Sequence, residues 1–397
     1  MTRKIFTHFD TITPASIRDL STSRGEPSWL TEYRLQAFDL LASEQVSRFW
    51  PSGRDQGFTV PPDASQVGEY SHQPDEADVV YHQLIQSLAS KGVVYGDFFD
   101  VLSIYPDLIK QHLGSVIPYC ESALSAMNMA LFTGGMVIYV PAGVKCQVPL
   151  SYFRTFSNPG QIERHLIIMG AGASASFVEG RPSLNYAPSH LVQTEIVVDR
   201  DASLTYTAVK NWDKHVNTWV QKRARCLDHG QMTWVEGHFG GHESHEWTDT
   251  LLAGDEAHGN VVAYAYSSES QAISYFPRVV HEGRRTTSHL MVHAIARGRL
   301  DIEGGQCVLS HAHHCDVTRD ILVMESRPGV AVIRNHSLVA QKDAVVTGSE
   351  FTVKPWPEED GKARSEALEI SRTFLSHLPM EFSIEAQRLI SQKSQEG

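Results

Sequence analysis

An all-β core between helical ends is the fold class this sequence predicts, and three observations carry it. From about residue 126 to 354, strand-like apolar runs of four to seven residues follow one another, with Gly, Asp or Asn between most of them. Almost no 3.6-residue periodicity intervenes, which argues against strands alternating with helices. The stretch is also long for a sandwich or barrel, whereas a solenoid absorbs length readily because each coil packs only on its neighbours. No strict sequence period is visible, so patterning alone leaves the sandwich and barrel open beside a β-helix.

The elements follow in order. Residues 1–125 read as mainly helical. Tyr33, Leu35, Phe38, Leu40 and Leu41 fall at helix-like spacing in residues 31–42, and residues 78–90 and 97–114 continue the pattern. Within the last of these, Pro106 opens a short helix that Gly114 stops. Residues 51–77, rich in Pro, Gly, Asp and Ser, read as a linker. Residues 127–150 read as very short strands, the apolar runs 136–140 and 144–148 being cut by Gly134-Gly135, Pro141-Ala142-Gly143 and Pro149. After Pro355-Trp356-Pro357 the helical pattern returns. Ala367, Ile370, Phe374 and Leu375 form one apolar stripe, and Phe382, Ala386, Leu389 and Ile390 form a second beyond Leu378-Pro379. Three regions result: residues 1–125, 126–354 and 355–397.

The 397 residues carry 34 Lys+Arg against 46 Asp+Glu, a net charge of −12, which argues against general binding to nucleic acid or anionic membranes. The N-terminus lacks an apolar core of signal-peptide length, and no apolar run approaches the ~20 residues of a membrane span. A soluble, cytoplasmic protein is expected. The five cysteines (Cys120, Cys146, Cys226, Cys307, Cys315) include no CxxC pair and are expected to be free thiols.

His311, His313, His314, Cys315 and Asp316 are the densest set of potential ligands. If the segment is a strand, His311, His313 and Cys315 share a face, a mixed N/S set that suits a metal or the edge of an iron–sulfur cluster. The same alternation also fits a buried ladder with no ligand. His238, His242 and His245 with Glu243 and Glu246 lie in a glycine-broken segment that disfavours a zinc-protease helix, and an exposed polar turn is the expectation there. Cys226 follows Arg223 and Arg225, whose charges would favour a thiolate if they lie near it; strand alternation equally puts both arginines in solvent and the thiol inside. No Walker A motif, dinucleotide-binding glycine fingerprint or nucleophile elbow occurs, so ATP hydrolysis by the chain alone is not expected. The C-terminal helical pair, with Phe374, Leu378, Met380 and Phe382, is the expected dock for a partner, and capping of the solenoid end is compatible with it.

Several segments resemble, in the same order, the SufB/SufD scaffold proteins that help build iron–sulfur clusters. They are Glu26-Pro27-Ser28-Trp29-Leu30, Gly92–Asp97, residues 105–114 (YPDLIKQHLG), 160–168 (GQIERHLII), 233–240 (TWVEGHFG), 281–296 and 377–390 (HLPMEFSIEAQRLI). The resemblance implies a right-handed parallel β-helix, a SufC-like ABC ATPase as partner, and dimerisation through the last coils with a SufB/SufD-like paralogue or a second copy. It also implies a sulfur donor protein and a transient iron–sulfur cluster or bound metal, on a scaffold that is not itself an enzyme. A persulfide-relay role for Cys226 is allowed by it. The sequence departs from the pattern at chemically important places. Gly348 and Ser349 stand where SufB carries a His-Glu pair, Thr250 stands at a mid-solenoid cysteine and Arg181 at another. At the late SufB cysteine one register keeps Cys315 and the other puts Arg319 there. The second functional expectation is therefore a repurposed β-helix paralogue that binds metal or sulfur in a specialised pathway.

Overall fold

The structure, a computed structural model, describes residues 6–7, 12–43, 58–59, 88–153, 160–182, 189–335, 338–339, 344–357 and 360–394. The linker reading of residues 51–77 and most of the helix expected over 78–90 lie outside the described residues. At the N-terminal end, α1 (Pro14–Ser23) starts at Thr13, whose side chain accepts from the Ser16 N–H in a capping box. Then come α2 (Ser28–Ala42), α3 (Phe98–Ile104), α4 (Pro106–His112) and α5 (Ala123–Leu131). Pro106 opens α4 as expected. Helix α5 is a correction to the reading of residues 127–150: Ser122 caps it, and its nine residues are buried on every side, so no amphipathic period marks it. Residues 144–148 likewise form a corner with an isolated bridge rather than a strand.

Two short strands, β1 (Phe6–Thr7) and β2 (Phe58–Thr59), pair with each other. The core strands are β3 (Val94–Asp97), β4 (Met136–Val140), β5 (Leu150–Phe153), β6 (Gly160–Met169), β7 (Ser174–Pro182), β8 (Ser189–Val198) and β9 (Ser203–Asn211). They continue with β10 (Asn217–Cys226), β11 (Gln231–His238), β12 (Glu243–Leu252), β13 (His258–Ser267), β14 (Ala272–His281) and β15 (Thr287–Ala296). The last are β16 (Arg299–Val308), β17 (Asp316–Glu325), β18 (Ala331–Asn335), β19 (Leu338–Val339) and β20 (Val345–Pro355). Each coil gives one strand to each of two sheets: β4, β6, β8 and the other even strands to β18 build one, and β5, β7, β9 and the odd strands to β17 build the other, with β20 on its edge. From β4 to β18 strand n pairs in parallel with strand n+2, β16 also pairs with β19 and β17 with β20, and among the described strands only β3 runs antiparallel, against β4. This is the parallel β-solenoid the sequence predicted.

The coils do have a period, held at one corner. Gly143, Gly172, Asp201, His229, Glu256, Arg285 and His314 all adopt positive φ, between 54° and 73°. Each of the first six sends its N–H to the carbonyl of the residue that precedes the next one, as in Asp201 N–H to Asp228 O and Arg285 N–H to His313 O. Left-handed backbone is a strained state for residues other than Gly, Asn and Asp, and the stacked hydrogen bonds sustain it.

Among the described residues three large apolar cores stand out. Inside the solenoid, Phe177, Tyr206 and Trp234 stack at 4.9 and 5.2 Å between ring centroids. The N-terminal helices cover one sheet through Val137, Ile162, Leu166, Leu191 and Trp219. Helices α6 (Asp360–His377) and α7 (Met380–Lys393) cover the other through Phe374, Ala386 and Ile390 against Val235, Phe239, Tyr264 and Met291. Helix α6 crosses β11, β13 and β15, so the pair lies along the flank and not over the end. Among the described residues no helix is long and apolar enough to cross a membrane.

Candidate functional site

Strand alternation places every second residue inside the solenoid, and in the middle coils part of that interior is charged. On β11 the inward set runs Met232, Trp234, Glu236, His238; on β10 it includes Lys222, on β9 Lys210, and on β12 Glu246 and Thr248. Lys210, Lys222, Glu236, His238 and Glu246 are all buried. Charges survive there because they are paired. Lys222 Nζ donates to Glu236 Oε1 and lies 3.6 Å from Glu246 Oε2, while Lys210 Nζ donates to that same oxygen at 2.5 Å. Glu236 Oε2 accepts from Tyr275 Oη at 2.7 Å and Thr248 Oγ1 at 2.9 Å. Glu179, a coil below, accepts from Tyr206 Oη at 2.7 Å.

Titration follows from these surroundings. Burial, reinforced by the neighbouring Lys210 charge, brings the Lys222 ammonium down to about 7. Burial would raise Glu246, but Lys210, His238 and Lys222 together hold it well below the usual carboxylate range. Burial also lowers His238, so its imidazole is neutral at neutral pH. Glu236, His238 and Glu246 each offer a ligand atom within 4.8 Å of the others.

A second buried polar string lies in the later coils. Cys315 Sγ is 3.2 Å from Thr286 Oγ1, which is 2.8 Å from His281 Nδ1. His281 Nε2 is 2.8 Å from Ser288 Oγ, which accepts from Gln306 Nε2 at 2.9 Å, and Gln306 Oε1 accepts from Arg319 Nε and Nη2 at 3.1 and 2.9 Å. Burial lowers His281 to about 4, so it bridges two hydroxyls as a neutral ring.

The sequence-derived site residues are distributed differently from the expectation. Residues 311–315 form the corner between β16 and β17, not a strand, because His314 takes the left-handed rung of the corner column. The alternation argument therefore does not apply: His311, His313 and His314 are exposed while the Cys315 thiol points inward, and no common face gathers them. Cys226 closes β10 inside the apolar core, where burial pushes its thiol up to about 12. Arg223 does not assist it. That guanidinium points outward to Glu121 and Asp249, at 2.5 and 2.7 Å, and Arg225 is exposed. The polar turn expected around 238–246 is confined to His242 at the corner; His238 and Glu246 face the interior. Phe374 and Leu378 are buried against the solenoid, Phe382 is half-buried, and Met380 is exposed.

Lys210, Lys222 and Glu236 escaped the sequence reading. Their signal was the period-two pattern of β11, in which Glu236 and His238 continue the face begun by Met232 and Trp234. The departures at the last coil have a backbone counterpart: the pairing of β17 with β20 shifts between Thr318 and Arg319, so that Gly348 is the extra residue of a bulge and Ser349 sits opposite Arg319.

Comparison with known proteins accords with this architecture. The family described as SUF system FeS cluster assembly, SufBD core domain, matches residues 152–314, and the SufBD protein N-terminal region matches residues 77–151. An iron–sulfur cluster assembly SufBD family protein of Staphylococcus saprophyticus is 29% identical, over 96% of this chain and 92% of its own length. A protein of the same description from Staphylococcus aureus strain USA300 is 28% identical over the same shares. With the two regions matched contiguously and in family order, and the relatives similar from end to end, the chain belongs to the SufBD family of iron–sulfur cluster assembly proteins.

Proposed function

We propose that the protein is a non-catalytic scaffold of iron–sulfur cluster assembly that works with a SufC-like ABC ATPase docked on its C-terminal helical pair. The observation that carries this is the division of that pair into two faces. Phe374 and Ala386 anchor it in the sheet, while Met380 is 71% and Ile384 62% exposed, four residues apart on the same side of α7. A groove of about 320 Å³ on the same helical pair is lined by Ser365, Leu368, Glu369, Arg372, Leu375 and Gln387. An exposed apolar pair together with a groove that carries both charges fits a partner surface better than a solvated helix face. The sequence carries no Walker A motif, which supports leaving the ATP chemistry to a partner.

The last coil supports a second interface. On β20, the outermost strand of its sheet, Val345, Val346, Phe351 and Val353 are each at least 39% exposed. An open apolar edge is a template for pairing with another chain, here a SufB/SufD-like paralogue or a second copy. The scaffold would receive sulfur from a donor protein and work in the cytoplasm. A specialised paralogue outside general cluster assembly is the second reading, and the register that sets Ser349 opposite Arg319 across the Gly348 bulge favours it.

Co-expression with a SUF-system ATPase tests the docking. The wild-type chain is expected to co-purify with the ATPase, and Met380→Glu with Ile384→Glu to lose it while melting at an unchanged temperature. Equal recovery of both chains would move the dock elsewhere.

A further inference from the structure

We propose that Glu236, His238 and Glu246 form a binding site for one first-row divalent cation inside the solenoid, ferrous iron in the cell. The choice of iron rests on the cluster-assembly reading; the site itself rests on geometry. Two carboxylates and an imidazole from adjacent strands converge with ligand atoms within 4.8 Å of one another, a donor set suited to Fe²⁺, Mn²⁺, Co²⁺ or Zn²⁺.

Glu246 Oε1 lies 3.4 Å from His238 Nδ1 as an ion-pair contact, and the buried His238 Nε2 has no hydrogen-bond partner. Buried polar atoms are nearly always satisfied, so an orphaned imidazole nitrogen on one of three converging ligands points to a missing partner. The other oxygens are held from behind: Glu246 Oε2 by Lys210, and Glu236 Oε2 by Tyr275 and Thr248. Such outer contacts fix the orientation of metal-ligating carboxylates.

Lys222 is the competitor. Its ammonium sits on Glu236 Oε1 and within 3.6 Å of Glu246 Oε2, so it neutralises the carboxylates that a metal would use and must swing aside for a cation to enter. The site and a mere ion-pair network therefore respond in opposite directions when Lys222 is removed.

The test uses the full-length chain, purified anaerobically, stripped with a chelator and titrated with Co²⁺. Wild type is expected to bind one equivalent with visible d–d absorption. Glu246→Gln and His238→Gln should each weaken binding at least about tenfold. Lys222→Met should bind at least about tenfold more tightly, and its lowered melting temperature should recover on adding Co²⁺. Absence of stoichiometric Co²⁺ binding by wild type, equal binding by Glu246→Gln, or loss of binding in a folded Lys222→Met would each overturn the site. Iron in the protein as purified, measured by elemental analysis and lost in Glu246→Gln, ties the site to iron. None of these readouts involves the ATPase, so failure here leaves the docking reading standing, and failure of docking leaves the site.

Discussion

Arg164 shows how single residues hold this fold together. Its guanidinium is fully buried and donates to Glu195 Oε1 at 2.5 Å, to Gln193 Oε1 and Asn128 Oδ1, and to the Ile117 carbonyl. The Glu195 carboxylate also accepts the N–H groups of Gly114, Val116 and Ile117. One ion pair thus ties two coils to the helical end. Arg164→Met leaves a buried carboxylate without its counter-charge, a loss in the range of ~3–5 kcal/mol, set toward the lower end by the three remaining N–H donors. Chemical denaturation measures it. Two largely buried histidines contribute to the response to acid. Burial lowers both His245 and His281 to about 4, against an ordinary value of 6.5. The unfolded chain therefore binds more protons between those values, and stability that is complete above pH 6.5 is lost as pH falls toward 4. Each contributes up to about 1.4 kcal/mol per pH unit in that window. Melting curves at pH 7 and 5 should show a smaller difference for His281→Gln than for wild type. At this scale the sequence was a partial guide. The 238–246 segment was read as an exposed polar turn, and which of its residues turn inward depends on where β11 ends and the corner begins. Cys226 next to two arginines was ambiguous for the same reason.

At the scale of elements, the regularity of the coils rests on their corners. Gly254 lies where an added Cβ would meet the Asp228 backbone nitrogen at 2.0 Å, so adjacent coils could not stack at their present spacing. Gly172, by contrast, has φ +67° but no atom closer than 4.0 Å. Gly172→Ala should cost only the left-handed penalty, about 1 kcal/mol, and Gly254→Ala several times that, as thermal melts of the two variants would show. The corner column spaces its members 27 to 29 residues apart from Gly143 to His314. That period was present in the sequence and was missed because its members are chemically unlike: Gly, Asp, His, Glu, Arg. Strand patterning supplied the all-β core and the family resemblance the solenoid, and Pro106 and Pro379 marked helix boundaries correctly. Helix α5 was misread because an all-buried helix and a buried strand both appear as an unbroken apolar run. The C-terminal helices were legible as amphipathic, but their seat on the flank was not, since an apolar stripe does not say which surface it meets. Phe374 packs on Phe239 and Tyr264 at 6.3 and 5.8 Å between centroids, and Phe374→Ala should cost ~3–5 kcal/mol and expose that flank to protease.

At the scale of the whole molecule, the solenoid separates its tasks in space. Helices seal both sheets on their outer faces, the interior carries the buried charge cluster, and exposed large apolar residues lie on β20 and α7 as well as at Ile104, Tyr105 and Val148. That distribution fits a protein that works within a complex. The family pattern was readable from ordered segments along the chain, whereas the identity of the interior chemistry was not, because it depends on which residues of the consecutive strands β9 to β12 turn inward. The most direct test of the scaffold account is to purify the full-length chain anaerobically, alone and co-expressed with a SUF-system ATPase, and to measure complex mass by light scattering together with iron and sulfide content. The account predicts a stable complex that assembles a cluster when supplied with a cysteine desulfurase, L-cysteine, a reductant for the persulfide sulfur, Fe²⁺ and ATP, and that fails to form with Met380→Glu and Ile384→Glu. A chain that remains free of the ATPase and holds neither iron nor sulfide under those conditions would contradict it.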